Sequence, residues 1–380
     1  MEPTPKLRHG WTTGACATAA AKAAYAALLT GNFPDPVEIL LPGRQNVAFA
    51  LAEWELNETC AIAGVIKDAG DDPDVTHGAL VRARVSRGAA GTGLSFRAGP
   101  GVGTVTRPGL AIPAGEPAIN PVPRQMIRAA IEELGARHQA PGDVVVEISI
   151  PDGDVLARRT LNGRLGIIGG LSILGTTGIV VPFSCSAWIH SIHRGIDVAR
   201  ATGITHLAGA TGNSSEKAIR AFHGLPETAL IDMGDFVGGM LKYLKSHPVP
   251  RVTIAGGVAK MTKLAQGRLD LHSKRGEVDL SVLAGVAERL GCGADIAAKI
   301  AEANTTAQAF ELAQAAGARL GDAIAAQAWQ TAAPLLECTE TALEIVLFDR
   351  TGKLVGRAPF APVAAPARHG RDAHARNRRV

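Results

Sequence analysis

The stretch Ile204-Thr-His-Leu-Ala-Gly-Ala-Thr-Gly-Asn-Ser-Ser-Glu216 sets a short apolar run against a turn of glycines and hydroxyls, and a segment with helical spacing follows. The order recurs twice: Ala229 to Ile231 leads into Asp232-Met-Gly-Asp235, and Val252 to Ala255 leads into Gly256-Gly-Val-Ala-Lys260. Strand-then-helix alternation marks βαβ units, because each helical crossover returns the chain to the starting edge of one parallel sheet. It predicts a Rossmann-like α/β domain with a mainly parallel sheet over 166–335. Ligands of such sheets sit beyond the carboxyl ends of the strands, so the three turns become the place to look. Helices are expected over Leu280 to Leu290 and Ala294 to Ala316.

Upstream the texture changes. Short β-like runs at Val37 to Leu41, Asn46 to Leu51, Leu80 to Val85, Thr92 to Ala98 and Val144 to Ile150 alternate with turns. Two helices interrupt them, one from Thr12 or Thr13 to a stop at Gly31, the other from Pro123 to a stop at Gly135. This reads as an α+β domain over 1–165, with the hairpin 343–358 returning to complete it. The chain of 380 residues thus divides into an α+β and an α/β domain.

Hydrophobic residues make up 46% and charged residues 19%, as in a globular protein; with aromatics at 4%, the core must come from Ala, Val, Ile and Leu. Between Pro366 and Val380 stand five arginines and one aspartate, which equals the whole formal net charge of +4. The body is therefore neutral and has no electrostatic motive for nucleic acid; the tail 366–380 reads as disordered. Five scattered cysteines without a C-x-x-C pair fit a reducing cytoplasm. Leu165 to His193 carries little charge, but five glycines, Pro182 and several hydroxyls point to a strand and loop, so no membrane partner is expected.

Several segments carry chemistry. Thr12, Thr13 and Gly14 open the first helix, where free amides and hydroxyls suit a carboxylate or phosphate; helix capping by either threonine accounts for the same residues. Lys67-Asp-Ala-Gly-Asp-Asp-Pro-Asp-Val-Thr-His-Gly78 concentrates carboxylates without an EF-hand register. Turn capping explains them, and the functional alternative places Asp71, Asp72 or Asp74, or His77, at a substrate as a polar anchor or proton acceptor, with Asp71 or Asp72 preferred as the acceptor. Thr176 and Thr177 sit in a second Gly-Thr loop. In the α/β region Gly209, Thr211, Gly212 and Asn213 stand beside Asp232 and Asp235, acids after a strand that are able to accept from ribose hydroxyls; a structural strand-end aspartate accounts for them at least as well. Cys185, His190 and His193 invite a zinc reading, but the spacing is poor and no metal is expected. Neither G-x-G-x-x-G after a strand nor a Walker P-loop occurs, which disfavours an ordinary dehydrogenase or nucleotidase.

Taken together, Gly10-Trp-Thr-Thr-Gly14, Val65 to Gly78, Gly101-Val-Gly-Thr-Val-Thr-Arg-Pro-Gly-Leu110, Ser172 to Val180, Thr211 to Glu216 and Asp232 to Phe236 resemble the cobalt-precorrin-5B C-1 methyltransferase family of cobalamin biosynthesis. The resemblance spans residues 7 to about 357. Trp11 stands where the family more often has Tyr, and Cys185-Ser186 where an acidic pair is common, so no acid there is essential. The resemblance implies S-adenosylmethionine as cosubstrate and a tetrapyrrole as substrate, with a homo-oligomer or contacts to other corrin-pathway enzymes as partners. Carboxylate anchors are then expected at Thr12, Thr13, Gly14, Lys67, Arg107, Thr176 and Thr177, and the donor at Gly209, Thr211, Gly212, Asn213, Asp232 and Asp235. A nicotinamide-dependent tetrapyrrole reductase and a non-catalytic corrin carrier are the rival readings.

Overall fold

A computed structural model describes residues 7–337 and 339–363; the arginine-rich tail lies outside them. The fold is mixed α/β, and the chain divides between Cys185 and Ser186 into two compact units, twenty residues beyond the boundary read from sequence.

In the first unit helix α1 (Thr13–Thr30) is buried almost all round. Its alanines leave no bulk between backbone and sheet, and a helix apolar on every side must be interior. Thr12 caps it, accepting from Ala15 N at 3.2 Å, and Gly31 ends it at φ 80°. It packs on a five-stranded sheet built from β1 (Glu53–Leu56), β2 (Cys60–Ile66), β3 (Leu80–Arg87), β4 (Leu94–Ala98) and β5 (Val144–Ser149), in the order β1-β2-β3-β5-β4. Only the β5–β4 pair is parallel. Strand β2 escapes sequence reading because alanines, a cysteine and a glycine break up its three β-branched residues; Ala61 and Ala63 pack in the core with α1. Helix α2 (Pro121–His138) runs past Gly135, which lies 3.6 Å from Tyr25 Oη when a Cβ is built on it, and stops instead at Gln139 in the left-handed region.

The second unit opens with α3 (Cys185–Ala201). Strands β6 (His206–Ala210), β7 (Leu230–Asp232), β8 (Arg251–Gly257), β9 (Ala342–Phe348) and β10 (Leu354–Pro362) form a sheet in the order β7-β6-β8-β9-β10, parallel except for β10. Helices α4 (Asn213–His223), α5 (Val237–Ser246) and α6 (Val258–Ala265) follow β6, β7 and β8 in turn. The hairpin 343–358 therefore does not complete the first domain. β9 is buried over six successive residues, as an interior parallel strand must be, and pairs with β8 from Arg251↔Ala342 to Gly257↔Phe348. The segment 294–316 is two helices, Ala294–Ala301 and Thr306–Ala315, broken where Thr305 caps the second and accepts from Gln308 N at 3.2 Å. None of the described helices is long and apolar enough to cross a membrane.

One polar network lies inside this sheet, near the amino ends of its strands. Glu344, fully buried on β9, accepts from Thr253 Oγ1 at 2.7 Å, His223 Nε2 at 2.6 Å and the Arg357 guanidinium at 2.6 and 2.7 Å. Because Thr253 donates to Glu344, His206 Nε2 donates to Thr253 at 2.9 Å, and burial beside His223 and Arg251 holds that imidazole down at about 4. A buried carboxylate with its donors in place is costly to delete, since Arg357 loses its counter-ion. Glu344→Ala should lower the unfolding free energy by about 3–5 kcal/mol in a urea titration. Arg137→Ala, which removes an exposed pair with Glu133 on α2, should change it by less than about 1 kcal/mol.

Candidate functional site

In the first unit three sequence-distant motifs meet at the start of α1. Gly10–Trp11 pairs antiparallel with Ile179–Val180. Trp11 N donates to Asp68 O at 2.7 Å, Thr12 N to Gly178 O at 3.0 Å, and Gly14 N to Leu174 O at 2.9 Å. Gly10 is required there: a Cβ would lie 2.1 Å from the Ala69 carbonyl carbon. The acidic loop is pinned by its own carboxylates. Arg8 N donates to Asp71 Oδ2 at 2.6 Å and Phe183 N to Asp72 Oδ1 at 2.9 Å, while the Arg8 guanidinium grips Asp68 and holds its carboxyl down at about 2.

This geometry revises the expected anchors. Thr12 and Thr13 are buried; the Thr12 hydroxyl caps the helix, and Thr13 Oγ1 accepts from Leu174 N at 3.0 Å and faces Leu174 O at 3.3 Å. With Gly14 N taken as well, these groups bind the 172–178 loop instead of presenting themselves to solvent. Lys67, 1% exposed, is paired with Asp74 at 2.7 Å and is not a free cation. Although burial works against it, that ammonium and Thr76 keep the Asp74 carboxyl below its usual range. Thr176 and Thr177 are exposed in the same loop, and Thr177 Oγ1 accepts from Ile179 N. Arg107 stands apart from this convergence, its stem against Gly166 and its guanidinium donating to Arg164 O at 3.2 Å.

In the second unit β6 is followed by its neighbour on one side, β7, and the chain then crosses back to β8 on the other. The winding reverses between β6 and β8, which is the switch point where open α/β sheets bind ligands. Gly212 and Gly257 stand there as the N-caps of α4 and α6; neither helix has a side-chain cap, and a Cβ on either glycine would meet nothing within 4 Å. Lys260 Nζ spans the gap, donating to Thr211 O at 2.7 Å and lying 3.1 Å from Asp235 Oδ1. That carboxylate oxygen is buried and receives no directed hydrogen bond. Thr211 is buried, Asn213 opens α4 in exposed position and Asp232 ends β7. Lys260 was not among the expected site residues; its signal is its place one turn into the helix after Gly256-Gly257.

Gly209 does not face this opening. A Cβ there would lie 2.4 Å from Met240 Sδ and 2.8 Å from Met233 Sδ, so its role is core packing. Cys185, His190 and His193 do not come together as ligands among the described residues; His193 stacks on Tyr243 with ring centroids 3.9 Å apart. The group that does have ligand-like spacing, His206, His223 and Glu344, is the network already closed by Thr253 and Arg357. The two glycines should separate in experiment: Gly209→Ala lowers stability by about 1–3 kcal/mol through overpacking, whereas Gly212→Ala, with φ 161° and open space, leaves the melting temperature within a degree or two by calorimetry.

Comparison with known proteins agrees across the chain. The family described as CbiD matches residues 1–182, and its C-terminal domain matches residues 270–359. Proteins named cobalt-precorrin-5B C(1)-methyltransferase from Agrobacterium fabrum and Halorhodospira halophila are 63% and 62% identical, covering 95% and 93% of this chain and 95% of each relative. The relative of that name from Paramagnetospirillum magneticum is 59% identical over 94% of this chain and its own full length. A crystal structure of the cobalamin biosynthesis protein CbiD from Archaeoglobus fulgidus is 28% identical, covers 71% of this chain and 83% of its own, and has a TM-score of 0.39. With relatives this similar over almost the whole length, the chain belongs to the CbiD family.

Proposed function

We propose that this chain transfers a methyl group from S-adenosylmethionine to C-1 of cobalt-precorrin-5B, giving cobalt-precorrin-6A in corrin ring assembly, and that the donor binds a Rossmann-like second domain at its switch point. The names of the relatives support the reaction. The observation that carries the donor assignment is the pair of uncapped helix N-termini at Gly212 and Gly257 with Lys260 between them.

The residues fit such a donor. Amides at two helix starts and an ammonium suit its carboxylate, because both present partial or full positive charge. The underused oxygen of Asp235, with Asp232 at the end of the neighbouring strand, can accept from ribose hydroxyls or from the amino group. The donor supplies an already activated methyl: C-1 forms the new carbon–carbon bond as the sulfur–methyl bond breaks, and the sulfur keeps the electron pair. The protein's task is then alignment and exclusion of water.

For the macrocycle acids, Thr176, Thr177 and Arg107 remain as contacts from the first domain. Thr12, Thr13 and Gly14 shape the loop that carries the threonines, and Lys67 shapes the acidic loop through Asp74. Asp71 is the better-placed proton acceptor, since it is exposed, and Asp72 the second candidate. Incubation of purified protein with cobalt-precorrin-5B and methyl-labelled donor should place label in the macrocycle, and Asp235→Ala should raise KM for the donor at least tenfold. Binding without label would point to a carrier, and a requirement for reduced nicotinamide to a reductase.

A further inference from the structure

A side chain outside the expected set stands at the same edge. Trp188, in the second turn of α3, is 46% exposed although it is among the largest apolar groups in the chain. Its orientation is fixed from two sides. The indole Nε1 donates to Asp232 O at 3.1 Å, and the ring lies against Gly234, where a Cβ would sit 3.2 Å from it. Gly234 has φ 53°, so the Asp232-Met-Gly-Asp turn needs glycine both for its backbone and for the room it leaves the indole. Phe236 backs the ring at 6.5 Å between centroids.

We infer that Trp188 is the stacking platform for the adenine ring of the methyl donor, and thus the residue that selects an adenosyl ligand at this edge. The inference rests on the donor assignment above. The span supports it. Asp232 lies on β7, next to β6, while Gly257 ends β8 beyond it. Two strand spacings are about 10 Å, a span that the ribose-to-carboxylate part of an extended adenosylmethionine covers. With the base on Trp188, the ribose falls at Asp232 and Asp235, and the amino-acid end reaches the amides of Gly212 and Gly257 and Lys260. An aromatic face offers stacking area, and an indole already locked by its N–H bond loses little further freedom when a base settles on it.

The test uses S-adenosylhomocysteine as probe, with the full chain, in calorimetry and by tryptophan fluorescence. Trp188→Ala should weaken binding at least fivefold, and Trp188→Phe, which keeps an aromatic face, should restore most of it. Titration into the unaltered protein should quench part of the emission, and that part should vanish in Trp188→Phe. Equal affinity in Trp188→Ala, or an undiminished quench in Trp188→Phe, overturns the inference. Should Trp188→Ala not fold, the fluorescence of Trp188→Phe decides alone. Asp235→Ala separates the two levels of argument: if it weakens probe binding while the Trp188 variants do not, only the stacking platform is wrong. If none of the variants changes affinity, the donor assignment fails with it.

Discussion

One ammonium group holds the ends of three strands together. Lys260 comes from the helix after β8, reaches the backbone of Thr211 after β6 and pairs with Asp235 after β7. It adds a side-chain tie to the backbone bonds that already link these ends in pairs, Thr211 N to Ala255 O at 3.0 Å and Met233 N to Ala210 O at 3.1 Å. The ammonium is therefore structural: paired with Asp235 and bonded to the Thr211 carbonyl, it fixes the turns beside the two uncapped helix starts. The opening beside it exists because Gly212 and Gly257 carry no side chain.

The first unit uses the opposite strategy. Its Thr-Thr-Gly helix start looks like an anion site in sequence, yet the fold fills it with its own backbone, Leu174 and Gly178 taking the positions a ligand would need. Hydroxyls, carboxylates and a buried lysine join the N-terminal strand, the acidic loop and the 172–183 loop into one ledge. The consequence is that the exposed groups on that ledge sit beside polar anchors: Thr176 is in the loop bonded to Thr13 and Gly14, and Asp71 accepts from Arg8 N.

Much of this was legible in the residues. The three strand-turn-helix strings of the second unit, the cap at Thr12 and the stop at Gly31 follow from local rules. Other features depend on partners distant in sequence. β2 was hidden because its alanines answer to α1, and the hairpin 343–358 was misplaced because an interior parallel strand and a hairpin strand share one apolar pattern. At the site, Gly209 and Gly212 look alike in the string Gly-Ala-Thr-Gly, and only the methionines beneath the first tell them apart. Lys67 and Thr13 had the right chemistry for anchors, but burial and internal partners had already claimed them.

The central claim is that the methyl donor is held by the second domain at the β6–β8 edge. Ultraviolet cross-linking with methyl-labelled S-adenosylmethionine, followed by peptide mapping, addresses it directly. The account predicts label on peptides containing 186–193, 210–216, 232–238 or 256–262, displaced by unlabelled S-adenosylhomocysteine. Displaceable label confined to peptides before residue 185 would contradict it.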